Sequence, residues 1–83
     1  MKELIALSAL RPGEAGLLRR LDCRGPTRHR LRALGFIEGA TLRCLGRSPG
    51  GGSAAYAVFG SVFALRDRDC AALLAERTEG GGT

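Results

Sequence analysis

The chain has no tryptophan, one histidine and one methionine, and its aromatic set is Tyr56 with Phe36, Phe59 and Phe63. So few rings leave little material for stacking nucleobases, the usual way of holding single-stranded nucleic acid. Long apolar runs are missing as well. The longest, Ala54–Phe59 and the equally long Cys70–Ala75, fall far below the roughly 18 residues that a membrane-spanning helix requires. No secretory leader is expected: Lys2 is followed at once by Glu3, and the leucine-rich start ends at Arg11-Pro12-Gly13. Clustered carboxylates are absent, and His29 stands between Arg28 and Arg30, where neighbouring cations disfavour a metal and no base partner is near in sequence. No catalytic residue and no cofactor site are expected.

Cysteine is scarce: Cys23, Cys44 and Cys70 are odd in number, widely spaced and without C-x-x-C pairing. That argues against a disulfide framework and against a tetrahedral zinc site. Free thiols acting as small hydrophobes in a reducing, cytoplasmic setting are the simpler expectation. Cys23, in a turn, is the one expected to be accessible and to oxidise or cross-link.

Arginine and glycine are abundant. Twelve Arg and one Lys oppose eight acids, giving a net charge of +5 and a pI near 10.1 in 83 residues that are 45% apolar. The length suits one small domain with a modest core. The charge suits an acidic protein, a nucleic acid or an anionic membrane surface, although high Arg, Gly and Ala together also fit GC-rich coding.

Along the chain, Leu4, Leu7 and Leu10 open at three-residue spacing, as in a short extended or single-turn segment, and Arg11-Pro12-Gly13-Glu14 punctuates. Ala15–Asp22 reads as a strand with Ala15, Leu17 and Leu21 on one face, imperfect at Leu18 and Arg19. Gly25-Pro26-Thr27 opens a short helix through Leu34, docked by Leu31, Leu34 and Phe36 and ended by a left-handed Gly35. Thr41–Arg47 alternates, with Leu42 and Cys44 inward and Arg43, Leu45 and Arg47 outward. Ser48–Ser53 is a flexible hairpin loop. Its Gly50-Gly51-Gly52 lacks the following helix and lysine of a phosphate cradle. Ala54–Phe59 and Ser61–Leu65 are strands divided by Gly60, and Asp67 is placed as the cap of a last helix reaching Leu73 or Leu74. Short strands at about ten-residue spacing predict a mainly β fold, a small barrel with one or two short helices. Residues 1–76 form that domain, and residues 77–83 are expected to be a flexible Gly-rich tail.

Leu10-Arg11-Pro12-Gly13-Glu14, then Arg30-Leu31-Arg32-Ala33-Leu34-Gly35-Phe36-Ile37-Glu38-Gly39-Ala40, then Ser48-Pro49-Gly50-Gly51, Gly60 and Ala64-Leu65-Arg66, form an ordered set that resembles the FeoA family of bacterial ferrous iron uptake. The resemblance spans about Leu7 to Leu74. It implies an SH3-like β-barrel without catalytic activity, a cytoplasmic accessory protein that binds and modulates FeoB, the membrane transporter carrying a cytoplasmic GTP-hydrolysing domain. The same barrel occurs in iron-dependent repressors, so fold alone does not assign function. The loop departs from the family's A-P-L-G-D-P pattern, lacking its acid and second proline. Self-association is compatible with this reading.

The partner contacts expected on a basic barrel are Arg28, Arg32, Arg47, Pro49 and Tyr56. The alternative is a small basic barrel binding nucleic acid through Arg24, Arg28, Arg30 and Arg32 with strand arginines. A weaker one is a metal-sensing module using cysteines from adjacent subunits.

Overall fold

The computed structural model describes residues 3–78. Its elements in chain order are β1 (Leu4–Ala6), a 3-10 turn (Leu7–Ala9), β2 (Ala15–Leu21), α1 (Gly25–Leu34), β3 (Thr41–Arg47), β4 (Ser53–Val58), β5 (Ser61–Arg66), α2 (Asp67–Ala72) and β6 (Leu73–Thr78). The strands pair antiparallel in the order β1-β6-β2-β3-β4-β5. Side chains from β2 through β6, both helices and the 3-10 turn join one apolar cluster, so the sheet curls around a single core. The mainly β architecture with two short helices is the one expected.

Helix α1 is delimited by local chemistry. Pro26 sits in its first turn, where its missing N–H costs nothing, and Gly35 ends it at φ 113°. The Gly35 and Phe36 amides donate to the carbonyls of Arg32 and Leu31, each at 3.0 Å. The chain thereby folds Phe36 back into the core beneath Leu31, edge-on to Phe63 with ring centroids 6.1 Å apart.

Strand β2 departs from the expected alternation. Leu18 lies opposite Ala75 while Arg20 lies opposite Leu74, so Arg19 is an extra residue in the β2–β6 ladder. That bulge resets the two-residue period. Leu18 and Leu21 both turn inward, Leu17 is left half-buried, and Arg19 and Arg20 both face solvent. In β3 the expected pattern holds for Leu42 and Cys44, which are buried, and a second register shift beyond Cys44 leaves Leu45 outside.

The C-terminal segment requires a correction. The helix expected to reach Leu73 or Leu74 stops at Ala72, and Leu73–Thr78 is a strand inserted between β1 and β2. Alanine and leucine favour helix locally, but a strand here buries Leu73 and Ala75 and pairs its backbone on both sides. The strand therefore continues two residues beyond the boundary expected at residue 76; the rest of the expected tail, 79–83, lies outside the described residues. Asp67 is also not the cap of α2. Arg66 occupies that position in an extended conformation, while Asp67 and Asp69 fall in the first turn, on the positive end of the helix dipole.

Tyr56 is fully buried, its hydroxyl donating to the Leu7 carbonyl at 3.0 Å and lying 3.5 Å from the Cys70 sulfur. This bond fastens the 3-10 turn to β4 across the core. Burial raises the Tyr56 phenol, with Cys70 reinforcing the rise, and burial raises the Cys70 thiol as well. Both groups stay neutral and Cys70 is a poor nucleophile. Cys44 is equally enclosed, whereas Cys23 is half-exposed. Native-state alkylation followed by mass spectrometry is therefore expected to label Cys23 at least about a hundredfold faster than Cys44 or Cys70, which wait for opening of the core. Equal rates for all three would contradict this packing.

Candidate partner-binding surface

Most arginines that enrich this sequence are engaged within the molecule. Arg77 meets Glu14 at 3.2 Å and donates to the Ala9 carbonyl at the same distance. Arg19 pairs with Glu76 and Arg20 with Asp22. Arg43 donates to the Gly13 carbonyl at 2.6 Å. The backbone amide of Arg11 on Glu14, helped by Arg77, holds that carboxyl below its usual range.

Arg28 and Arg32, expected as contacts, are brought together on one face of α1, both against Glu38 at 3.5 and 2.5 Å. The Glu38 carboxyl is held below its usual range, first by its own backbone amide and then by Arg32. Arg28 also donates to the Leu21 carbonyl at 3.2 Å, tying the helix to the end of β2. Arg47 uses its guanidinium on the carbonyls of Ser8 and Leu10, so it anchors the 3-10 turn before it can serve a partner. Pro49 is exposed in the β3–β4 loop, at the opposite end of β4 from the β4–β5 turn. Tyr56 is corrected outright: its side chain alternates inward on β4, and a fully buried ring offers no contact surface.

The β4–β5 turn carries what sequence reading passed over. Val58 pairs with Ser61, so Phe59 and Gly60 alone make the connection. Both have positive φ, 50° and 78°, as a two-residue hairpin matching strand twist demands. Glycine or asparagine takes the first position without steric cost, but a bulky side chain there strains the backbone by roughly 1–2 kcal/mol. Phe59 accepts that strain and is 68% exposed; Val62, 61% exposed, pairs with Ala57 and points to the other face of the hairpin from Val58. The Phe59 ring lies over the helix end: a Cβ placed on Gly35 would come within 3.0 Å of it. An apolar tip thus adjoins the C-terminal end of α1, where Arg32 and Glu38 sit. The Phe-Gly dipeptide between two strand-like runs is the available signal, but strand alternation alone places Phe59 at the end of β4 rather than in the turn.

A second feature lies at the other end of α1. A cleft of about 610 Å³ opens between the start of α1, β5 and α2, lined in part by Arg24, Thr27, Arg30, Arg66, Arg68 and Asp69. Asp69 is 7% exposed and is bonded by Arg30 at 3.1 Å. The sequence alone does not group Arg66 and Arg68 with α1, because they stand some forty residues from the helix they face. Among the described residues, no group of three or more His, Cys, Asp or Glu side chains is placed to hold a metal, and no helix is long and apolar enough to cross a membrane.

Comparison with known proteins agrees with this architecture. The model of the FeoA domain matches residues 5–77. A solution structure of iron(II) transport protein A from Clostridium thermocellum superposes with a TM-score of 0.87 at 25% identity, covering 92% of this chain and 47% of that one. Stenotrophomonas maltophilia FeoA, solved in complex with zinc and described as an SH3 domain protein possibly acting as a ferrous iron transport activating factor, is 26% identical, with a TM-score of 0.75 over 87% of this chain and 89% of that one. A manganese-dependent transcriptional repressor shares the fold at 20% identity and a TM-score of 0.83, covering 94% of this chain and 44% of the repressor. No curated protein matches the sequence.

Proposed function

This chain belongs to the FeoA domain family, whose members are accessory proteins of ferrous iron transport, and on that premise we propose that it is a non-enzymatic cytoplasmic protein that binds the cytoplasmic part of the FeoB transporter and modulates it. The observation that carries the reading is Phe59. A strained turn residue that leaves most of its aromatic side chain in solvent recovers little of that strain within the domain, and such strain recurs where a surface serves recognition. Aromatic side chains ringed by polar groups are the usual anchors of protein interfaces. Phe59, over the C-terminal end of α1, forms the apolar centre, and Arg28 and Arg32, held against Glu38, supply a charged rim that sets orientation and encounter rate.

The test is a titration of the isotope-labelled, reduced protein with the cytoplasmic domain of its cognate FeoB. Amide shifts are expected to centre on Gly35, Phe59 and Gly60 and to persist at moderate salt. Phe59→Ser is expected to weaken binding at least about tenfold while leaving amide dispersion intact. The double change Arg28→Glu/Arg32→Glu is expected to slow association and flatten its fall with salt. If both variants bind like the parent, this face is not the contact. Binding to duplex DNA alone, fading steeply as salt rises, would instead favour a nucleic-acid role.

A further inference from the structure

Arg24, Arg66 and Arg68 have no carboxylate or carbonyl acceptor among the described residues, whereas nearly every other arginine has one. Arg11 is the remaining guanidinium in the same condition, and it lies elsewhere on the surface. The three unpaired groups belong to different elements: Arg24 precedes α1, Arg66 ends β5 and Arg68 lies in α2. The fold nevertheless brings them to one cleft, with Arg30 beside them.

Four guanidinium groups there face one carboxylate, Asp69, which is already bonded to Arg30. Like charges repel, and a surface that gathers them without internal acceptors holds an unmet demand for anions. The Thr27 hydroxyl lines the same space, and α1 begins there with no side-chain cap.

The geometry points to a binding site for a phosphate-bearing ligand, specifically a diphosphate group gripped by Arg24, Arg66 and Arg68, with Thr27 as a further donor. Guanidinium forks match the oxygen pairs of phosphate, and charge-assisted bonds of this kind are about twice as strong as neutral ones. The cleft volume of about 610 Å³ exceeds what a single phosphate fills and admits a linked pair. None of its lining residues is aromatic. Without a stacking platform the site reads the phosphates and disregards any base attached to them. This site is independent of the Phe59 face, and neither reading depends on the other.

The experiment is a titration of the whole labelled protein with inorganic pyrophosphate, followed by inorganic phosphate, adenosine diphosphate and guanosine diphosphate, at constant ionic strength. Saturable shifts are expected at Arg24, Thr27 and Arg66 through Asp69. The two nucleotides are expected to match pyrophosphate within about threefold, and inorganic phosphate to bind more weakly. Arg66→Gln/Arg68→Gln is expected to weaken pyrophosphate binding by about tenfold or more, and Arg24→Gln provides a separate variant if the first folds poorly. Arg11→Gln, an unpaired arginine outside the cleft, is expected to leave affinity unchanged. Non-saturating shifts, or an equal loss in Arg11→Gln, would overturn the site in favour of diffuse charge. A glutamate-rich peptide of matched charge binding as tightly as pyrophosphate would overturn the phosphate assignment and point to an acidic partner.

Discussion

A chain ending at Ala72 is expected not to fold, whereas one ending at Thr78 is expected to match the full-length protein. The reason is the place of β6 in the sheet. Although last in sequence, it lies between β1 and β2 and bonds to both. Its removal leaves β1 without a sheet neighbour, opens the edge of β2 and takes Leu73 and Ala75 out of the core. A domain of this size has only a few kcal/mol of stability in reserve, and the loss of a central strand exceeds that. Far-UV circular dichroism and amide dispersion report the outcome directly. Native dispersion from the shorter chain would show that β6 is peripheral and that the described topology is wrong.

Replacing Phe36 by alanine is the point substitution expected to cost most, about 3–5 kcal/mol. The ring is fully buried beneath α1 and packs edge-on against Phe63. Few aromatic side chains exist to compensate, and the helix depends on this contact because ten residues of such polar sequence are not helical alone. The expected readout is a population largely unfolded at 25 °C in a urea series, with Phe36→Leu retaining a cooperative transition at lower midpoint. A loss below about 1 kcal/mol in Phe36→Ala would mean that α1 is held by something other than its apolar underside. Phe59→Ser serves as the contrast: another aromatic is lost, but from a strained and solvent-facing position, so folding is expected to survive while partner binding falls.

These cases mark how far the residues alone could be read. Phe36 was legible because its neighbours act locally: Gly35 permits the left-handed turn that swings the ring under the helix. Leu42 and Cys44 were legible because a regular strand alternates, and no bulge precedes them on β3. The inner face of β2 was not, since one extra residue at Arg19 inverts everything after it. Tyr56 combined an exposed-contact expectation with a strand position whose parity is set by pairing to Cys44, and the pairing turned it inward. Phe59 lay at the boundary between strand and turn, where one residue of difference separates a core ring from an exposed one.

By itself, then, the sequence determined the class of fold, the limits of α1, the hairpin at Gly60, the three free thiols and the resemblance to the FeoA family. Each of these rests on dihedral preferences, short-range hydrogen bonds or ordered motifs that act within a few residues. The tertiary structure decided that Leu73–Thr78 is a strand, that Tyr56 is core, and which arginines remain available. Those outcomes depend on partners far away in the chain: Arg30 finds Asp69 across 39 positions, and Tyr56 finds the Leu7 carbonyl across 49. Local propensity carries no record of such encounters, because they are chosen by the burial and pairing energy of the whole sheet.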